Sequence, residues 1–264
     1  KLTISTSEVS VLTGGGGGTT YGYSDGVGTN ALFYIPISVR ISPDGSYALV
    51  ADQYNHLIRK IQLLTPPTSS PTLFPTVQST FTPTFIQSSV SKTLNVNLLA
   101  GSTYPLDGVG SNSQFYNPVE IDLSYDGSFA LISDTNNNKV RKLTVSTNSI
   151  STFVGGGSTG TTSGNSNGVG TNVLFKNPRG IKINKNMSEA YLADQSNQRI
   201  CRIILSTATV TPLAGSTTGS SGSANGIGSN VNFYYPYDLA ISSDSSYLLV
   251  ADTSNCQIRK LILS

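Results

Sequence analysis

Apolar residues in this chain recur at every second position in short runs, and the same set of runs appears four times. Val39 and Ile41 alternate with Arg40 and Ser42, then Ala48 and Val50 alternate with Tyr47 and Leu49. The first pair returns as Ile121 and Leu123, as Ile181 and Ile183, and as Leu239 and Ile241. A period of two rather than 3.6 predicts strands, not helices. Between the first two runs, Pro-Asp-Gly-Ser at 43–46 and Tyr-Asp-Gly-Ser at 125–128 supply tight-turn chemistry, so those runs are predicted to be antiparallel neighbours. Each second run ends at an aspartate (Asp52, Asp134, Asp194, Asp252), with an asparagine three residues on (Asn55, Asn137, Asn197, Asn255). A third run follows at 56–63, 139–145, 199–205 and 257–263. A fourth run ends at a glycine at 9–13, 96–100, 150–154 and 210–214.

The aspartates stand 82, 60 and 58 residues apart, so the unit is 58 to 60 residues with one long insertion. Ahead of each first run lies a Gly-Val-Gly or Gly-Ile-Gly motif leading to Phe33, Phe115, Phe175 or Phe233, and then to Pro36, Pro118, Pro178 or Pro236. Four antiparallel strands per repeat with no helix between them predict an all-β chain: a β-propeller of four-stranded antiparallel blades, in four repeats. A blade has two apolar faces and hides them only by stacking on its neighbours. The chain reads as one domain, 1–264, with repeats at about 1–64, 65–145, 146–205 and 206–264 and a Pro/Thr/Ser-rich insertion at 65–89.

Two arrangements fit the ends. Residues 9–13 would supply the fourth strand that the last repeat lacks and close a four-bladed ring. Residues 1–5, Lys-Leu-Thr-Ile-Ser, copy the third run at 142–146 and instead suit a segment of a larger propeller. Lys1 opens the chain without Met or an apolar leader, which reads as a mature product or an excised segment.

The repeat resembles the NHL family. That resemblance rests on Val50-Ala51-Asp52, then Asn55, then Ile58-Arg59-Lys60-Ile61, and on Val250-Ala251-Asp252, Asn255 and Ile258-Arg259-Lys260-Leu261. The second copy keeps Asp134, Asn137 and Val140-Arg141-Lys142-Leu143; the third keeps Asp194 and Asn197 but has Cys201 where the others have arginine. The resemblance implies an NHL-type propeller, a fold used mostly as a platform for protein, peptide or glycan partners, with a few enzymes.

Composition narrows the function. Charged residues are 11% of the chain and the net charge is +2, too little for the basic face that tracks nucleic acid. No apolar run reaches the roughly 18 residues of a spanning helix, so no membrane insertion is expected. Uncharged polar loops in place of a Lys/Glu surface suggest an extracellular or cell-surface location. The glycine motifs lead into strands, whereas a phosphate-binding loop must open a helix, so they are read as turns that plug Phe33, Phe115, Phe175 and Phe233 between blades.

The four aspartates are read as turn caps rather than as a carboxylate ring for a cation. His56 is the sole histidine and is read as a surface turn residue, so neither a His-rich zinc site nor a His-assisted nucleophile can be assembled. No catalytic, cofactor or metal residue is assigned, and the chain is expected not to be an enzyme. Cys201 and Cys256 suit either a blade-to-blade disulfide or two separate thiols. Asn186-Met187-Ser188 is an N-glycosylation sequon at a predicted turn. The leading expectation is a non-enzymatic extracellular scaffold or adhesion module, a unit of a surface glycoprotein or filament that self-assembles or holds protein or glycan partners. The alternative is a glycan- or peptide-recognition propeller with Tyr21, Tyr23, Tyr104, Tyr234, Tyr235 and Tyr237 as the ligand face. A lyase or lactonase of NHL type ranks third.

Overall fold

The computed structural model describes residues 21–63, 95–101 and 107–263. The sequence expectations for residues 1–5, 9–13 and 65–89 and for Tyr104 lie outside them. The alternating runs form four antiparallel sheets, the four blades of a β-propeller.

Blade one holds β1 (Gly26–Val27), β2 (Pro36–Ile41), β3 (Tyr47–Asp52), β4 (Leu57–Gln62) and β5 (Asn95–Gly101). Blade two holds β6 (Gly108–Val109), β7 (Pro118–Leu123), β8 (Phe129–Asp134), β9 (Lys139–Thr144) and β10 (Ser149–Gly155). Blade three holds β11 (Gly168–Val169), β12 (Pro178–Ile183), β13 (Glu189–Asp194), β14 (Arg199–Ile204) and β15 (Thr209–Gly215). Among the described residues, blade four has β16 (Pro236–Ile241), β17 (Tyr247–Asp252) and β18 (Gln257–Ile262).

Four long strands per blade were expected. The Gly-Val pair of the glycine motif adds a short fifth strand at the outer edge, Gly26 pairing with Val96 and Gly108 with Ile150. A short 3-10 turn then carries the chain toward the phenylalanine.

The hairpins between first and second strands owe their shape to one side chain. Asp44 Oδ1 accepts hydrogen bonds from the Ser42 hydroxyl (2.6 Å), the Ser46 amide (3.0 Å) and the Ser46 hydroxyl (2.9 Å). Those donors hold the Asp44 carboxyl down at about 2. Asp126 and Asp244 repeat the pattern, and Asn186 takes the same place in blade three. The turn needs a left-handed residue, which is Gly45 or Gly127 in two blades and Met187 or Ser245 in the others.

The innermost strands stand around a common axis, β2 beside β7, β7 beside β12, and β12 beside β16. Gly180 allows the last approach, since a Cβ there would lie 2.7 Å from the Asp238 backbone. Between the strands each sheet leans on the next. Leu49, Ala51 and Ile58 of blade one meet Phe115, Ile121 and Ile132 of blade two. Leu131 and Val140 meet Phe175, Ile181 and Leu192 in the second junction, and Tyr191 and Ile200 meet Phe233, Leu239 and Val250 in the third. Phe115, Phe175 and Phe233 are therefore the interblade plugs that the motif predicted, each worth roughly 1.5–3 kcal/mol of apolar burial. Phe33 is only partly buried, on the outward face of blade one.

Candidate functional site

Each repeat aspartate is buried among donors. In blade one, Asp52 Oδ1 accepts the Tyr34 amide (2.7 Å), while Oδ2 accepts Asn55 Nδ2 (2.9 Å) and Arg59 Nη1 (3.1 Å). Arg59 is fully buried over the Phe33 ring, and its Nη2 reaches Asp25 Oδ1 at 2.7 Å. Asp25 in turn accepts the Leu98 amide. Blades two and four repeat this with Asp134, Asn137, Arg141 and Asp107, and with Asp252, Asn255, Arg259 and Asn225.

The carboxylates thus do not cap the backbone of the turn that follows them. They staple the second strand to the third and to the loop before the first. Nor do they form a ring at the axis. Burial pushes the Asp134 carboxyl up, and the Arg141 guanidinium works against that.

Blade three solves the same problem with a displaced arginine. Cys201 occupies the arginine position, and Arg199, two residues earlier on the same side of the strand, delivers Nε to Asp194 Oδ2 at 2.8 Å and Nη1 to Asn167 at 3.1 Å. Both cysteines are free. Cys201 is buried, with burial pushing its thiol up, while Cys256 is exposed in the turn before β18 rather than on the strand, so the bridge considered from the sequence does not form.

The axis is lined by alternate residues of the innermost strands. Arg40 pairs with Glu120 (2.7 Å) and Asp122 (2.9 Å), and Lys182 pairs with Glu120 (2.5 Å) and lies 3.7 Å from Asp238. Of these groups, Arg40, Asp122 and Lys182 line a cavity of about 410 Å³ with Ile183, Tyr125 and Ile241. Its charges are spent on one another, tying each blade to the next, and sequence reasoning did not identify them.

The opposite end of the blades is aromatic. There the loop before the first strand meets the turn after the second, the Tyr54 amide donating to the Tyr34 carbonyl and the Ser254 amide to that of Tyr234. Tyr21 stacks on Tyr34 at 4.7 Å, and Tyr34 meets Tyr54 edge-on at 5.2 Å. His56 meets Tyr116 at 5.4 Å, and Tyr234 stacks on Tyr235 at 5.2 Å. Tyr21, Tyr54, Tyr116, Tyr234 and Tyr235 are all exposed.

Of the tyrosines singled out in the sequence, Tyr21, Tyr234 and Tyr235 therefore come to one end. Tyr23 lies against the Arg59 guanidinium, and the Tyr237 hydroxyl accepts a hydrogen bond from Arg179. Tyr34, Tyr54 and Tyr116 join the group unforeseen. Asn186 is exposed in its hairpin, where a glycan could be carried.

His56 is not a free surface ring. It is half-buried, and its Nδ1 accepts the Asn117 amide of blade two at 3.0 Å. Asn138 and Gln198 make the same interblade bond, to the amides of Asn177 and Tyr235. Burial pushes the imidazole below its ordinary value of 6.5, with Asp134 acting in the opposite sense. The folded state therefore binds the proton less readily than the unfolded chain. The stability of this latch is complete above about pH 6.5 and falls as pH drops below it. Thermal unfolding compared at about pH 7.5 and about pH 5.5 is expected to show a larger decrease for the native chain than for His56→Asn, which carries blade two's acceptor; equal decreases would remove His56 from the account.

Among the described residues, no three His, Cys, Asp or Glu side chains stand together as a metal site. No described helix is long and apolar enough to cross a membrane.

No family model matches the chain. It is 31% identical over 174 residues to Protein SUPPRESSOR OF QUENCHING 1, chloroplastic, of Arabidopsis thaliana, an alignment covering 63% of this chain and 16% of that protein. It is 27% identical over 133 residues to NHL repeat-containing protein 2 of Bos taurus, covering 50% of this chain and 15% of that one. Its repeats are similar to NHL repeats. Two solved auxiliary nutrient binding proteins share the fold: one from Bacteroides ovatus, with a TM-score of 0.60, 13% identity and coverage of 88% of this chain and 49% of that chain, and one from Bacteroides thetaiotaomicron, with a TM-score of 0.58, 14% identity and coverage of 88% and 48%. The chain thus spans about half the length of those structures and a small part of its curated relatives.

Proposed function

We propose that this propeller is a non-enzymatic recognition module that works outside the cell and holds a glycan on its aromatic end. The observation that carries this reading is the gathering of exposed tyrosine rings from three blades at one end of the strands. Flat, weakly charged rings fixed by stacking suit the apolar faces of sugars, and their hydroxyls remain available for hydrogen bonds. A binding rather than a chemical role is supported by the engagement of the one histidine as a hydrogen-bond acceptor between blades and by the burial of Cys201.

A glycan array tests the reading. The native chain is expected to retain a defined set of glycans, and Tyr234→Ala with Tyr235→Ala is expected to reduce that binding by about 5- to 150-fold, since about 1–3 kcal/mol of ring contact would be lost. Binding unchanged in the double variant would rule out this end as the ligand face.

A further inference from the structure

Three junctions join the four blades, and the two end blades expose the faces that those junctions bury. Val39 is 53% exposed, whereas its counterparts Ile121, Ile181 and Leu239 are at most 2% exposed. Ile258 is 71% exposed, whereas Ile58, Val140 and Ile200 are fully buried. Among the described residues, no contact like that of β2 with β7 joins β16 to β2. Among the described residues, blade one and blade four therefore do not mate face to face as the other blades do.

The two open faces are the two halves of one joint. Blade one shows the surface that receives a preceding blade, with Phe33, Ile37 and Val39 along a groove. Blade four shows the surface that enters a following blade, with Leu249 and Ile258. Each internal junction mates these same two kinds of face. Charge agrees with this order. Along the axis the sign alternates from Arg40 to Glu120 and Asp122, then to Lys182, then to Asp238, whose half-exposed carboxylate also acts on this chain's own Arg40, so a cation on a following blade fits that order. Arg40 of a second copy would supply it. Two apolar faces of this kind left in water are interaction surfaces.

We propose that blade four of one copy packs on blade one of a second copy, head to tail, repeating the internal blade junction with Asp238 toward the second copy's Arg40. This does not depend on the glycan reading. Such a contact is heterologous, so it closes into a ring if the rotation permits and otherwise extends into a filament.

Size-exclusion chromatography with light scattering on the 264-residue chain over a concentration series tests the proposal. The expected result is a species above the 27.7 kDa of one chain, its mass at least doubled. Val39→Asp and Ile258→Asp each spoil one half of the joint at an exposed position, so both variants are expected to keep the native circular dichroism and to run as monomers. Mixed in equal amounts they retain one good half each, and a dimer of doubled mass is expected. A native chain that stays at 27.7 kDa throughout would overturn the proposal and leave these faces to blades outside this sequence. Association of the native chain without dimerisation of the mixed variants would overturn it too, placing the contact elsewhere.

Discussion

Replacing Arg199 by Leu is expected to destabilise the propeller by about 3–5 kcal/mol, and adding Cys201→Arg to that variant is expected to return most of the loss. Asp194 is fully buried, and its carboxylate takes a charged donor from Arg199 at 2.8 Å. Removing that donor leaves a buried charge with only Asn197 and the Lys176 amide as partners. Breaking a buried pair in this way costs far more than a surface ion pair contributes.

The double change rewrites blade three as blade one, with Leu at the position of Leu57 and Arg at the position of Arg59. There the guanidinium lies 5.0 Å from the Phe33 ring centre, and Phe175 is the corresponding ring in blade three. Urea titrations of the three proteins measure the effect as differences in unfolding free energy. Recovery on adding Cys201→Arg would establish that the staple, rather than the particular residue, is what the blade requires. A double variant as weak as Arg199→Leu would mean that Asp194 is held by something else.

This staple also shows where the sequence was readable. Val39/Ile41 and Ala48/Val50 betray strands because a half-buried strand must alternate, and Phe115, Phe175 and Phe233 betray plugs because each follows a turn motif that brings it back to the sheet. The arginines are legible in the sequence as a motif, but their task is not. A cation at an alternate strand position normally marks the wet side, and only the seven-residue spacing from Asp52 to Arg59, kept in three copies, hinted at a pair. The axial charges were hidden for a related reason, since which side of β7 faces the axis depends on how blades are ordered in space.

For the latch, the signal was present. His56, Asn138 and Gln198 share one column of the repeat and are all acceptors, but the αL geometry that aims them at the next blade is not written in the sequence. Cys256 falls in that same column, which is why it sits in a turn and cannot meet Cys201 as a strand neighbour would.

The larger effect expected of this architecture is complete loss of structure in a blade taken out of the stack. Blade two is covered on both sides, with Ile121, Ile132 and Phe115 toward blade one and Leu131 and Val140 toward blade three, all fully buried. In isolation both surfaces would face water. The segment 107–155 is too short to repay its conformational entropy without them, because domains of this size bury too small a fraction of their surface. Its hydrogen-bonded pairs and the Asp134–Arg141 staple would remain possible, but each contributes a net stabilisation of only about 1 kcal/mol once water competes. The most direct measurement is therefore the amide proton spectrum of a peptide spanning residues 107–155 beside that of the full chain. The account predicts collapsed chemical-shift dispersion for the peptide and wide dispersion for the chain; a peptide whose amides stay dispersed and protected would contradict it.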